Sequence, residues 1–138
     1  MKRSYILISL VLILMISQTV HAISGSIKPP KMVLRENVTR NQITVIPLSV
    51  EVNNPNNYAI NVTMSGSNII DIDSAPFSLG SGQSKVVNFD ILVPGPGNYS
   101  GDASAFFSAS GKLPLSLSTE IVLYAEEGTT ATNAHPPS

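Results

Sequence analysis

The chain contains no cysteine, and that absence removes thiolate nucleophiles, cysteine-ligated zinc and iron–sulfur clusters together. Stability therefore has to come from burial and hydrogen bonding, with glycans or assembly as supplements. Tryptophan is also missing, so a carbohydrate site would have to be built on tyrosine or phenylalanine. Histidine occurs only at His21 and His135. His135 stands between Ala134 and Pro136 in an unpatterned tail, where nothing rigid would hold a general base within reach of its proton. Serines are plentiful, but a serine nucleophile lacks its histidine partner. No window reads as a helix, so there is no helix N-terminus to cradle a phosphate. Nor is there a cluster of Lys and Arg beyond residue 22 to attract nucleic acid or anionic lipid. The chain is expected to be non-enzymatic and to need no cofactor.

What is present begins with an export pattern. Lys2 and Arg3 precede an apolar run from Ile6 to Ile16 broken only by Ser9, and Val20-His21-Ala22 places small residues where signal peptidase requires them. The run is far shorter than the roughly 20 residues that span a hydrocarbon core. Residues 1–22 are expected to be a secretory signal peptide, helical and cleaved after Ala22, with retention as an N-terminal anchor the competing reading. The remainder, 23–138, is the size of one domain. It carries six basic and nine acidic side chains, a charge of about −3.

Apolar residues alternate with polar ones in short segments separated by Gly, Pro, Asn and Ser, which is the pattern of half-buried strands. Ile46, Leu48, Val50 and Val52 share one face, with Pro47 on the other marking an edge or a bulge. After Asn53-Asn54-Pro55-Asn56-Asn57 the alternation resumes with Tyr58, Ile60, Val62 and Met64. Ile70 and Ile72 alternate with Asp71 and Asp73, and Phe77 and Leu79 lead into the turn Gly80-Ser81-Gly82. Val87, Phe89, Ile91 and Val93 form the next inward set, closed by Pro94-Gly95-Pro96-Gly97. Tyr99, Ala103, Ala105 and Phe107 follow, their small members implying close approach of a facing sheet. The last alternation runs from Leu113 to Leu123, with Pro114 at its start. A weaker first strand is assembled from Met32–Leu34 and Ile43–Val45. Seven or so short strands without helices predict an all-β, antiparallel, immunoglobulin-like sandwich over residues 23–125, followed by a disordered tail at 126–138.

The runs Asn53-Asn54-Pro55, Pro76-Phe77-Ser78-Leu79 with Gly82-Gln83-Ser84, and Gly97-Asn98-Tyr99-Ser100-Gly101 resemble immunoglobulin-like domains of prokaryotic cell-surface proteins, especially small exported archaeal sandwiches. The resemblance covers residues 27–125 and implies fold rather than function. With neither cysteine nor tryptophan, the antibody-type core is lacking and the looser fibronectin-like class is favoured. Tyr99, entering a strand just after a Pro/Gly-rich turn, is placed as the tyrosine of a tyrosine corner, whose hydroxyl bonds back to the main chain.

Three Asn-x-Ser/Thr sequons, at Asn37, Asn61 and Asn98, are candidates for N-glycosylation in an exported chain. Asp71 and Asp73 share a strand face and would need further oxygen ligands to hold Ca²⁺; a solvated face that discourages edge pairing is the plainer reading. Phe106 and Tyr124, on outer faces, are the aromatics left for a sugar. The long final strand, or the segment Ile23–Leu34, would suit strand donation to a neighbour, and Arg35 and Arg40 are the basic residues a strand-lending chaperone would use. The function read from all this is a secreted or cell-surface structural protein for assembly or adhesion, partnered by other surface proteins or by itself. A carbohydrate- or calcium-binding module and a donor-strand filament subunit are the alternatives.

Overall fold

The computed structural model describes residues 21–128, and the alternation above becomes two packed sheets without a helix among them. In chain order the strands are β1 (Ser26–Lys28), β2 (Lys31–Val38), β3 (Thr44–Asn53), β4 (Ile60–Gly66), β5 (Ile70–Asp71), β6 (Phe77–Leu79), β7 (Ser84–Val93), β8 (Gly97–Ser108) and β9 (Leu115–Glu127). One sheet has the order β1-β3-β7-β5 and the other β2-β9-β8-β4-β6. The pleat sends alternate residues to opposite faces, and the inward sets meet between the sheets. Val50, Val52, Ile91, Val93, Val62, Phe107, Ile121 and Leu123 are all fully buried. Phe107 is the largest of them, and room for its ring comes from Gly25, where a Cβ would lie 3.1 Å from the ring. Ala103 and Ala105, beside it on β8, are small and fully buried, as close sheet packing requires.

The expected all-β, immunoglobulin-like sandwich forms, and it differs from the expectation of about seven antiparallel strands in two details. There are nine strands, because Met32–Leu34 and Ile43–Val45 do not join into one strand. The first segment lies in β2, while Ile43 leads directly into β3. Moreover β2 runs parallel to β9, from Lys31 opposite Glu120 to Val38 opposite Glu127. The reason is a change of sheet: β1 covers β3 only at Glu51–Asn53, then Pro29-Pro30 carries the chain across to the other sheet. Proline has no N–H to offer a ladder, so the crossing falls where main-chain pairing is least missed. Thr119, fully buried on β9, fastens the crossing by donating its hydroxyl to the Pro29 carbonyl at 2.6 Å.

The expected tail is corrected as well. β9 continues through Glu127 because β2 lies alongside it, and the pairs Arg35–Glu126 at 3.9 Å and Arg40–Glu127 at 3.1 Å sit on that added length. Gly128 then donates to the Val38 carbonyl at 3.0 Å. His135 and the rest of the tail lie outside the described residues, as do residues 1–20 of the expected signal. Just past the expected cleavage point, Ile23 is buried in the core and its N–H bonds the Leu113 carbonyl at 3.3 Å. Among the described residues no helix is long and apolar enough to cross a membrane.

Candidate interaction surfaces

A partner can meet a sandwich at its strand edges, its two outer faces or its ends. One end is closed by a residue that pattern reading passed over. Asn54, fully buried after β3, donates its amide to the carbonyls of Tyr58 at 2.8 Å and of Leu79 and Gly80 at 3.0 Å. Its side-chain oxygen accepts from the Asn56 main-chain N–H at 2.9 Å and from the Asn56 amide at 2.7 Å. Asn56 in turn clasps Ser24, donating to its carbonyl at 2.7 Å and accepting from its N–H at 3.0 Å. Two asparagines thus tie the start of the domain to the β3–β4 and β6–β7 connections, which makes this end a structural fastening.

The edges can be followed residue by residue. Leu92 donates its N–H to the Ile69 carbonyl, so Leu92, Asp90, Asn88 and Val86 turn their main-chain groups away from β3. Pro47 is registered opposite Asp90, so its ring nitrogen also faces away from β7, along the stretch of β3 that β1 leaves uncovered. The proline therefore interrupts an open edge at a site where a donor would otherwise stand. On β2, Glu120 donates to Pro30 and Gly128 to Val38, so Lys31, Val33, Arg35 and Asn37 turn their main-chain groups outward over the full strand. Glu36, at an inward-facing position yet exposed, discourages pairing there.

The outer face of the four-stranded sheet bears an apolar end. Ile43, Leu92, Ile69 and Pro94 line a shallow groove that Asn68 and Asp71 border, and Val45 stands opposite Leu92 at its side. Ile43 is 69% exposed, Val45 54% and Leu92 37%, a contiguous patch of a kind that singly scattered surface residues do not make.

The residues singled out in the sequence fall as follows. Asn37, Asn61 and Asn98 are all exposed on the outer face of the five-stranded sheet, on β2, β4 and β8. Tyr99 donates its hydroxyl to the Gly95 carbonyl at 2.7 Å, closing the turn that precedes its strand. Asp71 is registered opposite Asp90 rather than beside a ligand set, and no group of three or more metal-binding side chains occurs among the described residues. Arg35 is engaged with Glu126 and lies over the Tyr124 ring at 4.9 Å, and Arg40 is held by Glu127. Leu113–Leu123 and Ile23–Leu34, the two candidate donor segments, pack within their own domain, with Ile23 and Ile27 in its core. Leu113 itself is exposed ahead of β9.

No protein-family model and no curated protein matches the sequence. In structure the sandwich is similar to PapD-like domain 7 of human CEP192, with a TM-score of 0.64 at 10% identity over 78% of this chain and 89% of that one. It is similar also to the Escherichia coli chaperone DraB, with a TM-score of 0.58 at 10% identity over 76% and 56% of the two chains. A chain from the Salmonella enterica complex of SafA pilin with the SafB chaperone gives 0.57 at 14% identity over 78% and 57%. This chain spans little more than half the length of those two bacterial chains. At such identities the likeness is one of fold, and the fold is an immunoglobulin-like sandwich of the PapD-like kind.

Proposed function

We propose that the chain is a non-enzymatic interaction module of the cell envelope or exterior, serving assembly or adhesion by docking other surface proteins, or a second copy, on the apolar end of its four-stranded sheet. The observation that carries this reading is the contiguous exposure of Ile43, Val45 and Leu92 around a groove. Fold similarity to chains of chaperone and pilin–chaperone structures supports an interaction role and an envelope setting. Export, read from the pattern of residues 1–22, supports the same setting.

Strand addition is the second reading, favoured by the outward main-chain groups of β2. Two substitutions separate the readings. Val45→Lys places a charge in the patch, whereas Val33→Pro removes an outward N–H that the domain itself does not use. Size-exclusion chromatography with light scattering, on residues 23–138 prepared from the native host, gives the mass of any complex. Loss of the complex in Val45→Lys alone supports face docking, and loss in Val33→Pro alone supports strand addition. A monomer that captures no surface protein in the unsubstituted form sinks both.

A further inference from the structure

Three of the four half-exposed aromatic rings of this domain share a pattern, and the fourth, Tyr99, is held by its hydroxyl on the Gly95 carbonyl. Tyr124 has the Arg35 guanidinium over its ring at 4.9 Å, Phe77 has the Lys85 ammonium at 4.1 Å and Tyr58 has the Lys112 ammonium at 4.8 Å. Each ring is covered by a cation, a favourable contact that also shields it from water. Phe106 is more exposed than any of them, at 46%, and among the described residues no cation lies over it.

Its registered neighbours on β4, β8 and β9 carry hydroxyls and amides. Across the outer face of the five-stranded sheet, Phe106 on β8 stands between Thr63 on β4 and Ser116 on β9. One row away lie Ser65, Ser104 and Ser118, the last two sharing a hydrogen bond at 2.8 Å, and on the other side Asn61 and Ser108. No charged residue occupies any of these positions. A protein partner would be expected to bring apolar neighbours around such an anchor. An aromatic platform ringed by small hydroxyls instead matches a pyranose, which has a C–H face for the ring and hydroxyls at its rim.

The same register says where that sugar comes from. Asn61-Val62-Thr63 is a glycosylation sequon, its Thr63 is directly across from Phe106, and Asn61 is the diagonal neighbour, at about 7–8 Å for such a pair. We propose that Asn61 carries an N-linked glycan and that Phe106 is the platform on which its first sugar packs. The other two sequons lack this arrangement. Asn37 is registered opposite Glu126, and Asn98 stands opposite Tyr124, whose ring Arg35 already covers.

The test uses the chain isolated from its native host. Mass spectrometry of the peptide containing Asn61 is expected to show a glycan; an unmodified Asn61 overturns the proposal. Thermal unfolding is then compared before and after enzymatic removal of glycans, in the unsubstituted chain, in Phe106→Ser and in Phe106→Tyr. Removal is expected to lower the midpoint by about 3 °C in the unsubstituted chain and in Phe106→Tyr, and by less than about 1 °C in Phe106→Ser. Equal drops in all three overturn the role of Phe106. In a third arm, Asn61→Gln is titrated with neutral oligosaccharides. Binding that disappears on adding Phe106→Ser would mean that the platform serves external sugars, and would overturn the attached glycan as its occupant.

Discussion

Replacing Asn54 by alanine tests whether the polar fastening at the base of the sandwich contributes as much as its geometry implies. The substitution strips a hydrogen-bond donor from three carbonyls, of which the Leu79 carbonyl is the buried one. A buried acceptor left unpaired costs about 1–3 kcal/mol. The carbonyls of Tyr58 and Gly80 and the Asn56 N–H are only partly buried, so water reaches them and each adds a few tenths. With the void left by the amide, the loss is about 3 kcal/mol. In a domain of this size one kcal/mol moves the unfolding midpoint by about 4–5 °C, so the expected drop is about 12–15 °C. Differential scanning calorimetry on residues 23–138 measures it, with urea unfolding as the second probe. Asn54→Asp supplies the sign test. It keeps an acceptor for Asn56 but turns a carboxylate toward three carbonyl oxygens, and so must be less stable at neutral pH than alanine. A loss under about 1 kcal/mol in Asn54→Ala, or an Asn54→Asp more stable than Asn54→Ala, would refute the reasoning.

Thr119→Val keeps the shape of a fully buried side chain while deleting the hydroxyl that donates to Pro29. It should cost about 1–2 kcal/mol and speed amide exchange along the β2–β9 ladder more than along β3–β7; uniform exchange would show that the crossing is not fastened there. Gly101→Ala would put a Cβ 2.9 Å from the Ser67 carbonyl and 3.0 Å from the Ile70 side chain. The turn it strikes is pinned by Ile70 N–H to Ser67 and by Asp102 N–H to the Ser67 hydroxyl. A loss of about 2 kcal/mol in urea unfolding is expected, and a change below about 0.5 kcal/mol would show that the turn yields freely.

The fold was legible where one periodicity governs. Period-two alternation placed Ile46 to Val52, Val87 to Val93 and Ala103 to Phe107 on their inward faces because those strands each bury one side. It could not see β1 and β2 as halves of one edge segment. The division is made by Pro29-Pro30 and by pairing with β9 some 90 positions away, and tertiary register leaves no local signature. The end of β9 was missed for a related reason. Glu126 and Glu127 read as tail on composition, yet a neighbouring strand and two arginines hold them extended. Asn54 looked like turn punctuation, since asparagine favours turns through the same side-chain hydrogen bonds that here reach three separate carbonyls. The surface was least legible of all. Alternation put Phe106 and Leu92 on outer faces, where they are exposed, but for Val45 the sequence offered only an incomplete first strand, so the patch it forms with Leu92 was not visible.

How the edges are treated bears on which surface meets a partner. The open part of β3 is interrupted by Pro47, β2 carries an exposed inward-position Glu36 beside Lys31 and Arg35, and Lys85 lies across the Phe77 ring near the uncovered start of β7. Each device opposes indiscriminate strand addition, and a chain that assembled mainly through its edges would not carry all three. The faces are divided instead. Every sequon lies on the five-stranded face, which also exposes Val33 and Phe106, whereas Ile43, Val45, Val86 and Leu92 are exposed on or beside the four-stranded one. Bulky, solvated sugars and a dry protein contact exclude each other on one surface. On the proposed function, a partner docked on the four-stranded face would leave all three acceptor asparagines, which lie on the other face, clear of the contact.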